Sequence, residues 1–232
     1  HSAITNIDTF SDALARNADK VDGILAGLER MTGGATSQAD IPIYDLVAAS
    51  TFPPKPEEAP SWLLVVPEPT TLMGFNTDKI LLQRAEGESV PLANAKWGDN
   101  LPVLFQEKVI QSFENAGYAQ SISRTREGVS GDFQLLVDIR RFHIATAPEP
   151  AAAEIEFVAK ILDTDGKIIS ASTFQDNAPA KGADAQAYVS AIDEVFGKLQ
   201  TELLEWTTGV LDSVPRPPVV VAPPRAPAQP MP

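Results

Sequence analysis

The sequence predicts an α/β (α+β) protein: a mixed β-sheet covered by two amphipathic helices, with a coiled-coil-like helix in front and a Pro-rich tail behind. Three observations carry this. Short apolar or alternating runs recur between Ile41 and Phe174, as strands require. Two longer segments, Trp97–Gly117 and Ala183–Leu211, place apolar residues at helical spacing. Ahead of Gly33-Gly34, apolar positions follow an alternating three-four rhythm, which is a coiled-coil seam. The predicted organisation is a helical segment over 1–34, a linker over 35–40, a domain over 41–212 and a tail over 213–232.

The first helix is expected from about Asn6 to Met31. Asp8 and Thr9 suit its first turn and the two glycines stop it. Ile7, Phe10, Leu14, Val21, Ile24, Leu28 and Met31 form the seam, and Asn17 fills its one polar position, where a single Asn often sets register. The stripe is narrow for a helix lying on its own domain, and an isolated helix of this length is marginal in water. It therefore reads as an oligomerisation seam; the alternative is folding back on its own subunit. Fully helical, it would reach roughly 40 Å.

"IPIYDLVA" (Ile41–Ala48) reads as the first strand of the domain, and "STFPPKPEEAPS" as a Pro-rich loop. "WLLVVPEP" is a continuous apolar run, the pattern of a strand buried on both faces. Asp78–Ala85 and Ser89–Ala93 suit two short strands around an "EGE" turn, with a loop as the alternative for Ser89–Ala93. In the helix that follows, Asp99 or Asn100 supplies the cap, with Pro102 in the first turn. Leu101, Leu104, Phe105, Val109, Phe113 and Ala116 make its apolar face, and Gly117 its end; Gln106, Glu107, Lys108, Gln111 and Glu114 are expected in water.

"AQSISRT" is a further short strand. In "DFQLLVDIRRFHIATA" the alternation of Phe133, Leu135, Val137 and Ile139 shifts to Phe142 and Ile144, which predicts a bulge near Arg140-Arg141. "AEIEFVAKILDTDGKIISASTF" is a hairpin turning at Asp163–Gly166. The last helix carries Tyr188, Ile192, Val195, Leu199, Leu203, Trp206 and Val210 on one stripe. Beyond Val214 come eight of the 20 prolines, a polyproline-II-like or disordered composition.

Lys+Arg number 18 against Asp+Glu 31, a net charge of -13, and no dense basic run appears, so nucleic acid is not expected as a partner. With no cysteine there is no disulfide, no Cys-ligated zinc and no Cys nucleophile. No apolar run approaches the roughly 20 residues that span a bilayer. The opening His1-Ser2 is unlike a natural start, and leads us to expect a fragment of a longer protein whose upstream part holds any targeting signal. His1 aside, the single histidine is His143, in a strand, where it reads as facing a rim or solvent. No G-x-S-x-G elbow, H-E-x-x-H pair, complete calcium loop or phosphate cradle is present. Glu57-Glu58 and Glu154/Glu156 belong to a loop and a solvated strand face. An enzyme has no residues to rest on here, and no metal or cofactor is implied.

Read in order, "Y-D-L", the Pro-rich loop, "W-L-L-V-V-P-x-P", "D-K-I" and "W-G-D-N-L-P-x-L-F-Q" resemble the ABC-type transport auxiliary lipoprotein family, which includes paraquat-inducible protein C. Tyr44, Leu46, Val65, Val66, Pro67, Asp78, Ile80, Trp97, Leu101, Pro102, Leu104 and Gln106 carry the resemblance, over about Ile41–Leu211. The opening helix, "F-S-D-A-L-A-R-N-A-D-K-V-D-G-I-L-A-G-L-E-R-M-T-G-G", is similar to the C-terminal end of MCE domain proteins, the periplasmic substrate-binding components of lipid-transporting ABC systems.

The two resemblances together imply a fused MCE–auxiliary protein, with the helix as its stalk. Auxiliary lipoproteins carry an acylated N-terminal Cys; this chain has none, and a covalent link to a membrane-anchored MCE part would replace it. The implied function is a non-catalytic periplasmic auxiliary component of an MCE-type ABC lipid transport system, acting between inner and outer membranes by docking, oligomeric scaffolding or lipid contact. The implied partners are MCE and ABC transporter components, phospholipid and further copies of the chain. Inner-membrane association would run through the upstream segment. The rival reading is a periplasmic adaptor or regulator of cell-wall and envelope assembly. Trp62, Phe75 and Trp97 are the candidates for an apolar partner or lipid contact, with core packing as the alternative.

Overall fold

A computed structural model describes residues 41–52, 60–125, 131–147 and 149–215. The chain divides at Pro42/Ile43 into two compact units, and the description concerns the second. The expected first helix with its seam, the linker and nearly all of the tail lie outside the described residues.

The strands are β1 (Ile43–Tyr44), β2 (Leu64–Val66), β3 (Thr70–Thr71), β4 (Lys79–Gln83), β5 (Ser89–Trp97), β6 (Ile122–Arg124), β7 (Phe133–Ala145), β8 (Ala152–Asp163) and β9 (Ile168–Pro179). Helix α1 (Leu101–Phe113) lies between β5 and β6, and α2 (Ala185–Ser213) follows β9. All nine strands join one mixed sheet, as the sequence predicts.

Strand β7 organises the sheet. Along one edge it pairs antiparallel with β8 from Phe133↔Asp163 to Ala145↔Ala152, and β9 extends that meander. Along the other edge three short strands take turns in parallel: β2 at Phe133–Gln134, β3 at Asp138–Ile139 and β4 at Ile144–Ala145. β6 then adds to β2, and β5 followed by β1 to β4. The expected bulge is present: pairing with β8 slips between Ile139 and Arg141. The extra residue keeps Phe142 and Ile144 buried, as Leu135, Val137 and Ile139 are before it.

The covered face of the sheet meets both helices. Phe105 of α1 packs at 5.1 Å from Phe157 of β8 and 5.0 Å from Phe196 of α2, and Phe142 lies 5.7 Å from Phe196. Edge-to-face and tilted aromatic contacts thus join the sheet to both helices. Tyr188, Ile192, Val195, Leu199 and Leu203 are buried as predicted, whereas Trp206 and Val210, near the helix end, are half-buried.

The structure corrects several local expectations. At the start of α1 neither Asp99 nor Asn100 caps with its side chain. The Leu101 N–H is already taken by the Thr77 carbonyl at 3.1 Å, Pro102 has no N–H, and Val103 and Leu104 bond to the Asn100 carbonyl. The α-helix ends at Phe113 and runs through a wider turn, Glu114–Tyr118, closed by Gly117 at φ 92°. Strand β5 continues past Ala93 to Trp97; its register with β4 shifts and Asn94 sits at φ 57°, so no simple alternation marks the extension. The first strand contracts to two residues, because the backbone beyond Tyr44 bonds to side chains rather than to a neighbouring strand. Helix α2 opens with a side-chain cap, Asp184 accepting from the Ala187 N–H at 2.8 Å.

Gly131 leads into β7 where β2 crosses closest. A Cβ there would lie 2.5 Å from Val65 Cγ2 and 2.9 Å from the Leu63 carbonyl oxygen. Gly131→Ala is expected to cost about 1–3 kcal/mol through overpacking, seen as a lower thermal unfolding midpoint. An unchanged midpoint would show that this crossing is not tight.

Candidate functional site

The residues of the family-like motif meet in one place and hold the fold together. The Gly98 N–H donates to the Tyr44 carbonyl at 2.9 Å and the Trp97 N–H to the Asp78 carbonyl at 2.8 Å. Gln106, expected in water, is half-buried and donates from Nε2 to the Val66 carbonyl at 2.8 Å. This motif therefore ties β1, β2 and β4 to the start of α1. Trp97 is 2% exposed and Trp62 3%. Trp62 stacks on Tyr118 and donates Nε1–H to Asp212 at 3.1 Å. Both are core residues, which removes them from the candidate contact surface.

A second polar junction grips the segment after β1. The Ala49 N–H donates to Gln200 Oε1 at 2.6 Å and to Ser112 Oγ at 3.0 Å, and Asn115 Nδ2 donates to the Ala49 carbonyl at 2.9 Å. The Val47 N–H reaches Asp193 Oδ1 at 3.1 Å, and Lys108 pairs with Asp45 at 2.6 Å. An open groove of about 660 Å³ runs beside it, between Val47–Thr51 and the Asp193, Gly197 and Thr201 face of α2. Burial pushes the Asp193 carboxyl up to about 6, and the nearby Asp45 charge adds to the rise. Sequence reasoning missed this junction. Its one signal is Gln200, a polar residue flanked at helical spacing by Phe196, Leu203 and Leu204.

Phe75, the third contact candidate, belongs to a 3-10 turn, Met73–Phe75, between β3 and β4. Its half-buried ring stacks on His143 (centroids 6.3 Å apart, planes 13° apart), while Leu72 is 69% and Met73 93% exposed. Leu72, Met73, Phe75, Leu81 and Pro91 supply most of the apolar lining of a groove of about 670 Å³, with Lys79 also on its wall. The expectation for His143 is corrected here. It is 3% exposed, with Nε2 3.5 Å from Glu154 Oε2 and no hydrogen-bond partner for that nitrogen among the described residues. Burial lowers its pKa, against the pull of Glu154. The sequence signal for this site is the apolar pair Leu72-Met73 inside a polar turn.

Among the described residues no three His, Asp or Glu converge as metal ligands, and no helix is long and apolar enough to cross a membrane. The model for the ABC-type transport auxiliary lipoprotein component family matches residues 44–203. The chain belongs to that family. The family's lipoprotein character implies an envelope location. An uncharacterized protein of Bradyrhizobium diazoefficiens is 39% identical over 204 residues, 88% of this chain and 54% of the relative. The chain thus spans about half the length of the curated relative it matches. The crystal structure of protein XCC0632 from Xanthomonas campestris is 28% identical, with a TM-score of 0.67, covering 74% of this chain and 98% of that one. A further crystal structure, of an uncharacterized protein, shares the fold at 13% identity, with a TM-score of 0.56 over 71% of this chain and 97% of that one.

A half-buried carboxyl and a buried imidazole give the auxiliary domain opposing pH responses. Asp193 has a folded pKa above its ordinary 3.8, so its stabilising contribution is full below 3.8 and is lost as pH rises to about 6. His143 has a folded pKa below 6.5, so its contribution is full above 6.5 and is lost on acidification. Asp193→Asn removes the first and keeps an acceptor for Val47. The variant is expected to be more stable than the parent at pH 7 by about 1 kcal/mol, after discounting for solvent screening, with the gap closing toward pH 4. Thermal melts across this range check it; a variant less stable at pH 7 would exclude a strained carboxylate at this position.

Proposed function

We propose that this chain is the non-catalytic accessory part of an MCE-type ABC lipid transport system in the periplasm, joined to an inner-membrane-anchored MCE part ahead of residue 4. The family match over 44–203 carries the reading, since it is a match to an auxiliary component of ABC-type transport. Two further observations support the finer part. Residues 4–34 are similar to the C-terminal end of MCE domain proteins, and just under half of the Bradyrhizobium diazoefficiens relative lies outside the matched stretch, leaving room for another domain.

In this reading the Ile7, Phe10, Leu14, Asn17, Val21, Ile24, Leu28 and Met31 seam joins copies of the chain, as a/d patterns do. The motif residues supply a rigid scaffold, and the role is to dock and hold rather than to transform a substrate. Light scattering on the 232-residue chain should give a multiple of the single-chain mass. Leu14→Asp with Ile24→Asp should return it to one copy while leaving the melting of the 41–212 domain unchanged. Affinity purification from solubilised envelopes should bring down MCE and ABC permease or ATPase subunits. A single-copy parent, or a pull-down without transporter subunits, would defeat the proposal.

A further inference from the structure

We infer that the groove under the Leu72–Phe75 turn is a binding site for one acyl chain of an anionic phospholipid, with the Lys79–Asp78–Lys96 cluster facing its phosphate. The inference rests on the lipid-transport reading above and gives it a contact point.

Leu72 and Met73 stand out from the domain at 69% and 93% exposure. Water gains nothing from two large apolar side chains side by side on one turn, and such a patch marks an interaction surface. Behind them the groove has Phe75, Leu81 and Pro91 on its walls, and its volume of about 670 Å³ lies within the range of small-molecule sites. Met73 brings an unbranched, adaptable side chain suited to a flexible hydrocarbon. The floor is fixed, because Phe75 is stacked on the buried His143.

Charge selects the head group. The whole chain carries -13, yet beside this groove, next to its lining residue Lys79, one carboxylate serves two ammonium groups: Asp78 lies 3.1 Å from Lys79 and 3.4 Å from Lys96. Lys79 hydrogen-bonding holds the Asp78 carboxyl below its usual range, so the trio keeps one positive charge in excess at neutral pH. Lys79 lines the groove and remains half-exposed. An apolar slot with a cationic lip fits an acyl chain that ends in a phosphate.

Methionine methyl NMR tests this on the intact chain, which has three methionines, Met31, Met73 and Met231. Lysophosphatidylglycerol, held below its micelle concentration, should shift the Met73 methyl saturably and leave the other two in place. Lysophosphatidylcholine should bind about threefold more weakly, as one solvent-exposed charge pair allows. Glycerol phosphate, the head group alone, should not move Met73. Leu72→Ser should weaken binding about tenfold by removing apolar contact, and Lys79→Gln should erase the preference for the anionic lipid; both positions are surface ones, and unchanged melting confirms the fold. A Met73 methyl that stays fixed, or one that moves only together with Met31 and Met231, overturns the inference. So does a lipid preference that survives Lys79→Gln. If lipid leaves Met73 unmoved but Leu72→Ser abolishes co-purification of the transporter, the turn belongs to a protein partner and the lipid site is refuted, while the accessory role stands.

Discussion

Every layer of the domain depends on one strand being hydrogen-bonded along both edges. β7 offers a full edge to β8, and its opposite edge is shared end to end by β2, β3 and β4, none longer than five residues. Short strands cannot stand alone in water. Here each is held in parallel by a stretch of β7, and the connection from β3 to β4 is free to run elsewhere, as the apolar turn at Leu72–Phe75. The bulge at Arg140 is what makes this possible. Without it the residues beyond Ile139 would swap faces, sending Phe142 and Ile144 to solvent.

Much of this was legible. The bulge was visible because a period-two pattern changes phase only when a residue is inserted, and Phe142 and Ile144 marked the new phase. Both helices and the β8–β9 hairpin were visible for similar reasons, being long enough for their periods to repeat. What escaped was decided by partners distant in sequence. Leu101 needs no side-chain cap because the Thr77 carbonyl reaches it from the segment just ahead of β4. Gln106 looks solvent-facing by helical spacing and is instead spent on Val66. His143 reads as a rim residue on its own strand, yet Phe75, 68 positions earlier, closes over it.

The same distinction separates scaffold from site. The residues that carry the family resemblance are recognisable because the fold needs them together: Tyr44, Asp78, Trp97 and Gln106 each hold or receive a bond that joins separate elements. Trp62 and Trp97 drew suspicion as contact residues because large aromatics serve both interfaces and cores, and burial assigns them to the core. The turn that does face outward lies outside that motif. Its apolar pair breaks the local rule that turns are polar, and such violations are where function is expected to leave its mark.

The grip on the segment after β1 has a mechanical consequence. Tension arriving from residues ahead of Ile43 would first meet a two-residue parallel pairing with β5, then the bonds from Asp193, Ser112, Gln200 and Asn115 to Val47 and Ala49. Asp193 and Gln200 lie on α2, Ser112 on α1 and Asn115 in the turn that follows it, so a pull that overcomes the β1–β5 pairing is divided between the two helices. Under the proposed attachment to an upstream partner domain, this sharing of load would resist a pull on the front end.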